Sequence, residues 1–134
     1  METFLVLGAA FGLIGVALGA FGSHALRSKL TSEGVATFET GVRYQMWHAL
    51  ALFVVVIVDA WTPSGRPAFY LAEPATGWPE LAAGWLFVAG IVLFSGGLYA
   101  LALTGRPAWG AVTPFGGACL LLGWASLLFA VLVK

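Results

Sequence analysis

Four long apolar runs, separated by short charged stretches, dominate this chain. Residues 3–26, 44–58, 81–105 and 107–133 contain no Asp, Glu, Lys or Arg, and the twelve charged residues fall at Glu2, within 27–43, within 59–80, at Arg106 and at Lys134. About 20 apolar residues in a helix cross a hydrocarbon core, so three runs are ample. The second reaches that length once Trp61 is included and Asp59 is placed at headgroup level. The pattern predicts an all-α membrane protein, a four-transmembrane-helix bundle in one domain covering residues 1–134, with spans at 3–26, 44–61, 81–104 and 112–133.

The connections differ in kind. Leu30 to Arg43 reads as an amphipathic interfacial helical segment between the first and second spans: Thr31 or Ser32 supplies a cap, Glu33 sits in the first turn, and Val35, Phe38 and Val42 share a face. Run unbroken into the second span, residues 32–61 would measure roughly 45 Å at about 1.5 Å per residue, more than the hydrocarbon thickness, which predicts a bend near Gly41. Pro63, Pro67, Pro74 and Pro79 predict a long irregular second connection. Thr104-Gly105-Arg106-Pro107 reads as a tight turn, with Gly105 ending one helix and Pro107 opening the next.

Inside the first span, Gly8, Gly12, Gly15, Gly19 and Gly22 fall on one helix face. Lipid offers helices no hydrophobic reason to associate, so packing depends on small residues that let backbones approach; this stripe is the predicted packing face. Trp47, Trp61, Trp78, Trp85 and Trp109 lie near span boundaries, where indoles collect. Trp124 lies inside the fourth span, and its N–H predicts a neighbouring helix as partner.

Composition excludes several function classes. With 60% hydrophobic and 9% charged residues and a mean hydropathy of +0.96, lipid is the natural solvent. A formal net charge of zero and the absence of a basic stretch argue against nucleic acid as a partner. The single Cys119 permits neither an internal disulfide nor a cysteine metal cluster and reads as a small apolar filler. By the positive-inside rule, Arg27, Lys29, Arg43 and Arg106 on one face outnumber Arg66 and Lys134 on the other, placing both termini outside the cytoplasm. The first run lacks a basic leader region and reads as an uncleaved helix.

Candidate chemistry collects around the first connection, at His24, Arg27, Glu39, Arg43, Tyr44, Gln45 and His48. Glu39 and Arg43, four apart, predict an ion pair, while Tyr44, Gln45 and His48 share a different side of the helix. An antiparallel hairpin whose second helix enters at Tyr44 would set His24 and His48 at similar depth, in one hydrogen-bonded cluster with Arg43 and Tyr44. Two readings are open: these groups tie a helix end together, or His24 and His48 line a vestibule carrying protons, a metal ion or a small polar solute. Two histidines without a certain third ligand do not make a metal site. No nucleophile with a base, carboxylate pair or phosphate loop is present, so no catalytic residue, cofactor or metal is assigned and the chain is read as non-enzymatic.

Four blocks, in order, carry a resemblance. Gly19-Ala20-Phe21-Gly22-Ser23-His24-Ala25-Leu26 and Gly41-Val42-Arg43-Tyr44-Gln45-Met46-Trp47-His48-Ala49-Leu50, then Phe94-Ser95-Gly96-Gly97-Leu98-Tyr99 and Thr113-Pro114-Phe115-Gly116-Gly117 with Gly123-Trp124, resemble the small YgdD/YwdK-like membrane proteins of the domain-of-unknown-function 423 family. The resemblance covers nearly the whole chain; its second connection is longer than that family leads one to expect. It implies a four-helix protein of the bacterial inner membrane and brings no established activity. The expected partners are membrane lipid, a second copy or another membrane protein.

Overall fold

The computed structural model describes residues 1–61 and 77–133. The second connection, with Pro63, Arg66, Pro67 and Pro74, lies outside the described residues. Four helical spans account for nearly all of the rest, because a helix satisfies its own backbone hydrogen bonds where no water can. The first span is α1 (Glu2–Phe21), which passes without a break into a π-helical turn at Gly22–Leu26. The chain then reverses, the N–H groups of Lys29 and Leu30 both donating to Leu26 O at 2.9 Å. Thr31 caps α2 (Ser32–Ala60), its Oγ1 accepting the Gly34 N–H at 3.1 Å.

The amphipathic segment at 30–43 is therefore the opening of the second span itself, one uninterrupted helix of 29 residues in which Gly41 causes no break. The third span comprises α3 (Trp78–Gly90), a second π-helical turn at Ile91–Ser95, and α4 (Gly96–Thr104). Pro79 belongs to the first turn of α3, where a missing N–H removes no helical bond. Glu80, expected among the loop charges, lies in that same turn and is 2% exposed, its carboxylate folded back over Gly77, where a negative charge suits the helix dipole. Gly105, at φ +65°, ends α4 by donating its N–H to Leu101 O at 2.8 Å. Pro107 then opens α5 (Pro107–Leu132), which starts earlier than the expected residue 112 and contains Pro114 without ending there.

The hairpin of α1 and α2 lies against the third span through α2, and α5 packs along α3 and α4 from the other side. The shared core holds Phe4, Leu52, Val55, Phe87, Ile91, Leu120 and Leu127. Missing side chains allow the close approaches. A Cβ at Gly15 would lie 2.5 Å from Met46 Sδ, at Gly22 it would lie 3.0 Å from the Phe38 ring, and at Gly8 it would lie 3.1 Å from Ala49 O. Gly116 sits directly on the Phe94 backbone. The stripe on α1 is not used evenly: a Cβ at Gly12 would meet nothing within 4 Å, and one at Gly19 only Val42, at 3.4 Å. The tight positions Gly8, Gly15 and Gly22 are seven apart, the repeat of a coiled-coil seam.

Candidate functional site

A polar seam runs through the bundle where α2 meets its neighbours, and it begins with a glycine. In a helix, the residue four positions on shadows a given carbonyl; Gly15, with no side chain, leaves Phe11 O open. Gln45 of α2 fills that opening, donating from Nε2 to Phe11 O at 2.7 Å. Its Oε1 accepts the hydroxyl of Tyr99, on α4, at 2.9 Å. A side chain 3% exposed thus joins three spans, with donor and acceptor both engaged, as a buried amide requires.

His48, one turn further along α2 and 5% exposed, forms the second junction. Its Nε2 lies 3.1 Å from the indole Nε1–H of Trp124 on α5, and its Nδ1 lies 2.7 Å from Tyr44 O, one helical turn back. Because the indole can only donate, Nε2 accepts, and the ring carries its hydrogen on Nδ1 and gives it to the carbonyl. Aromatic rings enclose the imidazole: Phe87 at 5.5 Å, Trp124 at 6.2 Å and the stacked Tyr44 at 6.0 Å between centroids. Tyr44 packs in turn on Phe94 at 4.6 Å. Ser126 of α5 donates to Pro79 O at 3.1 Å. Ser95, 1% exposed at the end of the second π-helical turn, has a hydroxyl without a hydrogen-bond partner among the described residues.

The residues singled out from sequence separate into two groups. Gln45 and His48 belong to the buried seam, and Tyr44 flanks it. His24 is exposed in the π-helical turn, and Arg43 is exposed on the outside of α2. Glu39 pairs with Arg27, Oε1 to Nη2 at 3.8 Å, instead of with Arg43. The expected meeting of His24, Arg43, Tyr44 and His48 does not form, and the reason is register. Gly22 lies opposite Phe38, Gly15 opposite Gln45 and Met46, and Gly8 opposite Ala49 and Phe53. The same register levels His24 with Ala36, and His48 is twelve residues further along α2, about 18 Å at 1.5 Å per residue. The helix begins at Ser32, a full three turns before the Tyr44 from which equal depth was reckoned. Among the described residues, no three of His, Cys, Asp and Glu come together as a cation site.

Sequence reading did not find Phe11 O, Tyr99 or Ser126 as seam partners. The one available signal was Trp124, whose indole N–H inside an apolar run requires an acceptor. Local spacing could not name that acceptor, which is 76 residues away.

Known proteins match the chain over almost its whole length. It is 41% identical over 131 residues to the UPF0382 membrane protein YwdK of Bacillus subtilis (strain 168), covering 97% of this chain and 96% of the relative. It is 39% identical over 132 residues to UPF0382 membrane protein SERP0230 of Staphylococcus epidermidis, with 98% and 97% covered. It is 36% identical over 130 residues to UPF0382 membrane protein SAB0533 of Staphylococcus aureus, with 97% and 95% covered. No solved structure matches. The family model described as protein of unknown function, DUF423, matches residues 18–117, the stretch holding Gly22, Gln45, His48, Ser95 and Tyr99, and the chain belongs to that family, a multi-pass membrane protein whose relatives carry no assigned activity.

Proposed function

We propose that this protein is a non-enzymatic helical bundle of the bacterial inner membrane that works by association within the bilayer, with itself, a protein partner or lipid. One observation supports this reading above others: the hydrogen-bonding groups of Gln45, Tyr99, His48 and Trp124 are spent on one another and on helix carbonyls. A transport path needs polar groups free to exchange partners with a moving ion or solute. Here His48 is walled by Tyr44, Phe87 and Trp124, and His24 stands at a different depth, so the two histidines share no vestibule. The faces turned outward are apolar, with Leu13, Val16, Phe115, Leu121 and Leu128 each more than 60% exposed, as suits contact with lipid or another span.

The test pairs two measurements on reconstituted protein. Proteoliposomes are expected to pass protons and divalent metals no faster than empty vesicles, and native mass spectrometry from mild detergent is expected to show multimers or retained lipid. Flux above the empty-vesicle rate that disappears in His48→Gln would overturn the reading in favour of a carrier. A strictly monomeric, lipid-free protein would overturn it as well.

A further inference from the structure

The first connection borders an open surface groove of about 400 Å³ lined by Arg27, Leu30, Ser32, Val35, Ala36 and Glu39. Its two sides have different origins. Ser32, Val35, Ala36 and Glu39 follow helical spacing along one face of the first two turns of α2, while Arg27 and Leu30 come from the connection just after the π-helical turn at Gly22–Leu26. A π-helical turn takes up an extra residue relative to an α-helix, which rotates the residues beyond it by about 100° at 3.6 residues per turn. That rotation carries Arg27 over α2.

The groove has three chemical parts. Leu30, Val35 and Ala36 supply apolar lining; Ser32 stands at the start of α2; Arg27 offers donors beside the Glu39 carboxylate, about two turns further along the helix. Arg27 and Glu39 are 3.8 Å apart, with side chains 68% and 43% exposed. That separation exceeds the 2.7–2.9 Å or so of a charge-assisted hydrogen bond, and an exposed pair of this kind contributes little to stability, about 0–1 kcal/mol. Opening it to admit another cation and anion costs correspondingly little. The groove lies between the end of the first span at Leu26 and the start of the second at Ser32, where lipid headgroups are. Its volume falls within the roughly 300–1,000 Å³ of small-molecule sites.

From this charge arrangement we infer that the groove binds the headgroup of a zwitterionic phospholipid bearing a primary amine, the phosphate on Arg27 and the ammonium on Glu39, with the glycerol and upper acyl chains over Leu30, Val35 and Ala36. A negative phosphate and a positive amine, a few atoms apart, complement Arg27 and Glu39. A purely anionic headgroup would leave Glu39 facing a like charge, and a quaternary ammonium has no N–H to donate to it. The inference rests on the reading that the protein acts by association in the bilayer, and it names the lipid for one place on the bundle.

Native mass spectrometry of the full chain in mild detergent, with equal amounts of phosphatidylethanolamine, phosphatidylcholine and phosphatidylglycerol added, tests it. The unmodified protein should retain phosphatidylethanolamine about tenfold more than phosphatidylcholine and ahead of phosphatidylglycerol. Glu39→Gln should lower phosphatidylethanolamine to the phosphatidylcholine level and spare phosphatidylglycerol. Arg27→Gln should lower both phosphatidylethanolamine and phosphatidylglycerol about tenfold. Arg43→Gln, which removes an exposed cation outside the groove, should change nothing. Arg27 and Arg43 are exposed and Glu39 is half-buried in a loose ion pair, so all three variants should stay folded, which their helical circular dichroism and thermal midpoint in detergent check. Equal retention of the three lipids by the unmodified protein, preference for phosphatidylglycerol, or a loss in Arg43→Gln as large as in Arg27→Gln would overturn the inference. Multimers that persist without retained phosphatidylethanolamine would overturn the lipid site while leaving bilayer association standing.

Discussion

Gln45 has the most demanding position of any side chain in this protein. It is buried in a span, and its amide donates to a carbonyl of α1 and accepts from a hydroxyl of α4. Hydrogen bonds between membrane helices average about 0.6 kcal/mol and reach about 1.7 kcal/mol, while a buried polar group left unpaired costs about 1–3 kcal/mol. Gln45→Leu removes both bonds, orphaning Tyr99 Oη and leaving Phe11 O only its own helical partner, so it should destabilise by about 1–3 kcal/mol. Tyr99→Phe should cost less, because it strands only the Gln45 Oε1 acceptor and keeps the bond to Phe11 O. The double variant should fall short of the sum of the single effects by about 0.5–1.5 kcal/mol, the signature of contacting residues. Unfolding by titration from mild to denaturing detergent measures all three; strict additivity would mean that the two side chains do not meet.

Between helices, one absent atom decides how closely two backbones lie. The stripe on α1 offers an internal control, since a Cβ at Gly15 would lie 2.5 Å from Met46 Sδ while one at Gly12 would meet nothing within 4 Å. Overpacking costs about 1–3 kcal/mol, so Gly15→Leu should lower the thermal midpoint in detergent clearly and Gly12→Leu should hardly move it. Equal effects at the two positions would place the seam elsewhere. The spans themselves were legible in the sequence because a charge is costly in hydrocarbon, and the glycine stripe was legible because small residues at helical spacing have a direct packing consequence. Register was not. An apolar run marks where a helix crosses but not where it starts, and the Thr31 cap carries α2 three turns further back than Tyr44. The π-helical turns at Gly22–Leu26 and Ile91–Ser95 leave no composition signal either, since glycine and apolar residues serve α- and π-helix alike. The histidine cluster failed on that missing register, whereas the shared side of Gln45 and His48 on α2 follows from spacing alone; their burial, 3% and 5% exposed, was not foreseen. A cysteine pair at the facing positions 22 and 38 should therefore form a disulfide readily under mild oxidation in a Cys119→Ala background, and a pair at 24 and 48 should not. Efficient cross-linking of the second pair would restore the depth expected from sequence.

For the molecule as a whole, four spans place both termini on one side of the membrane and the first and third connections on the other. The basic residues of those connections, Arg27, Lys29 and Arg106, then share one face, and Arg43 joins them: it is exposed in α2 about three turns past Ser32, where its long side chain can extend back toward the same surface. Cytoplasmic loops carry the excess of Lys and Arg, so this face should be cytoplasmic and Met1 should lie outside. In a Cys119→Ala background, a cysteine at Ser28 should resist a membrane-impermeant maleimide applied to intact spheroplasts and react once they are broken, while one at Thr3 should react in intact spheroplasts. The two outcomes that could go wrong separate cleanly. Labelling of both positions from the same side would contradict an odd number of crossings between them and with it the four-span bundle. Reversed sides would keep the bundle and invert it, setting Arg27, Lys29, Arg43 and Arg106 outside against the charge rule. The groove between Arg27 and Glu39 would then face the outer leaflet, and its phospholipid would have to be drawn from there.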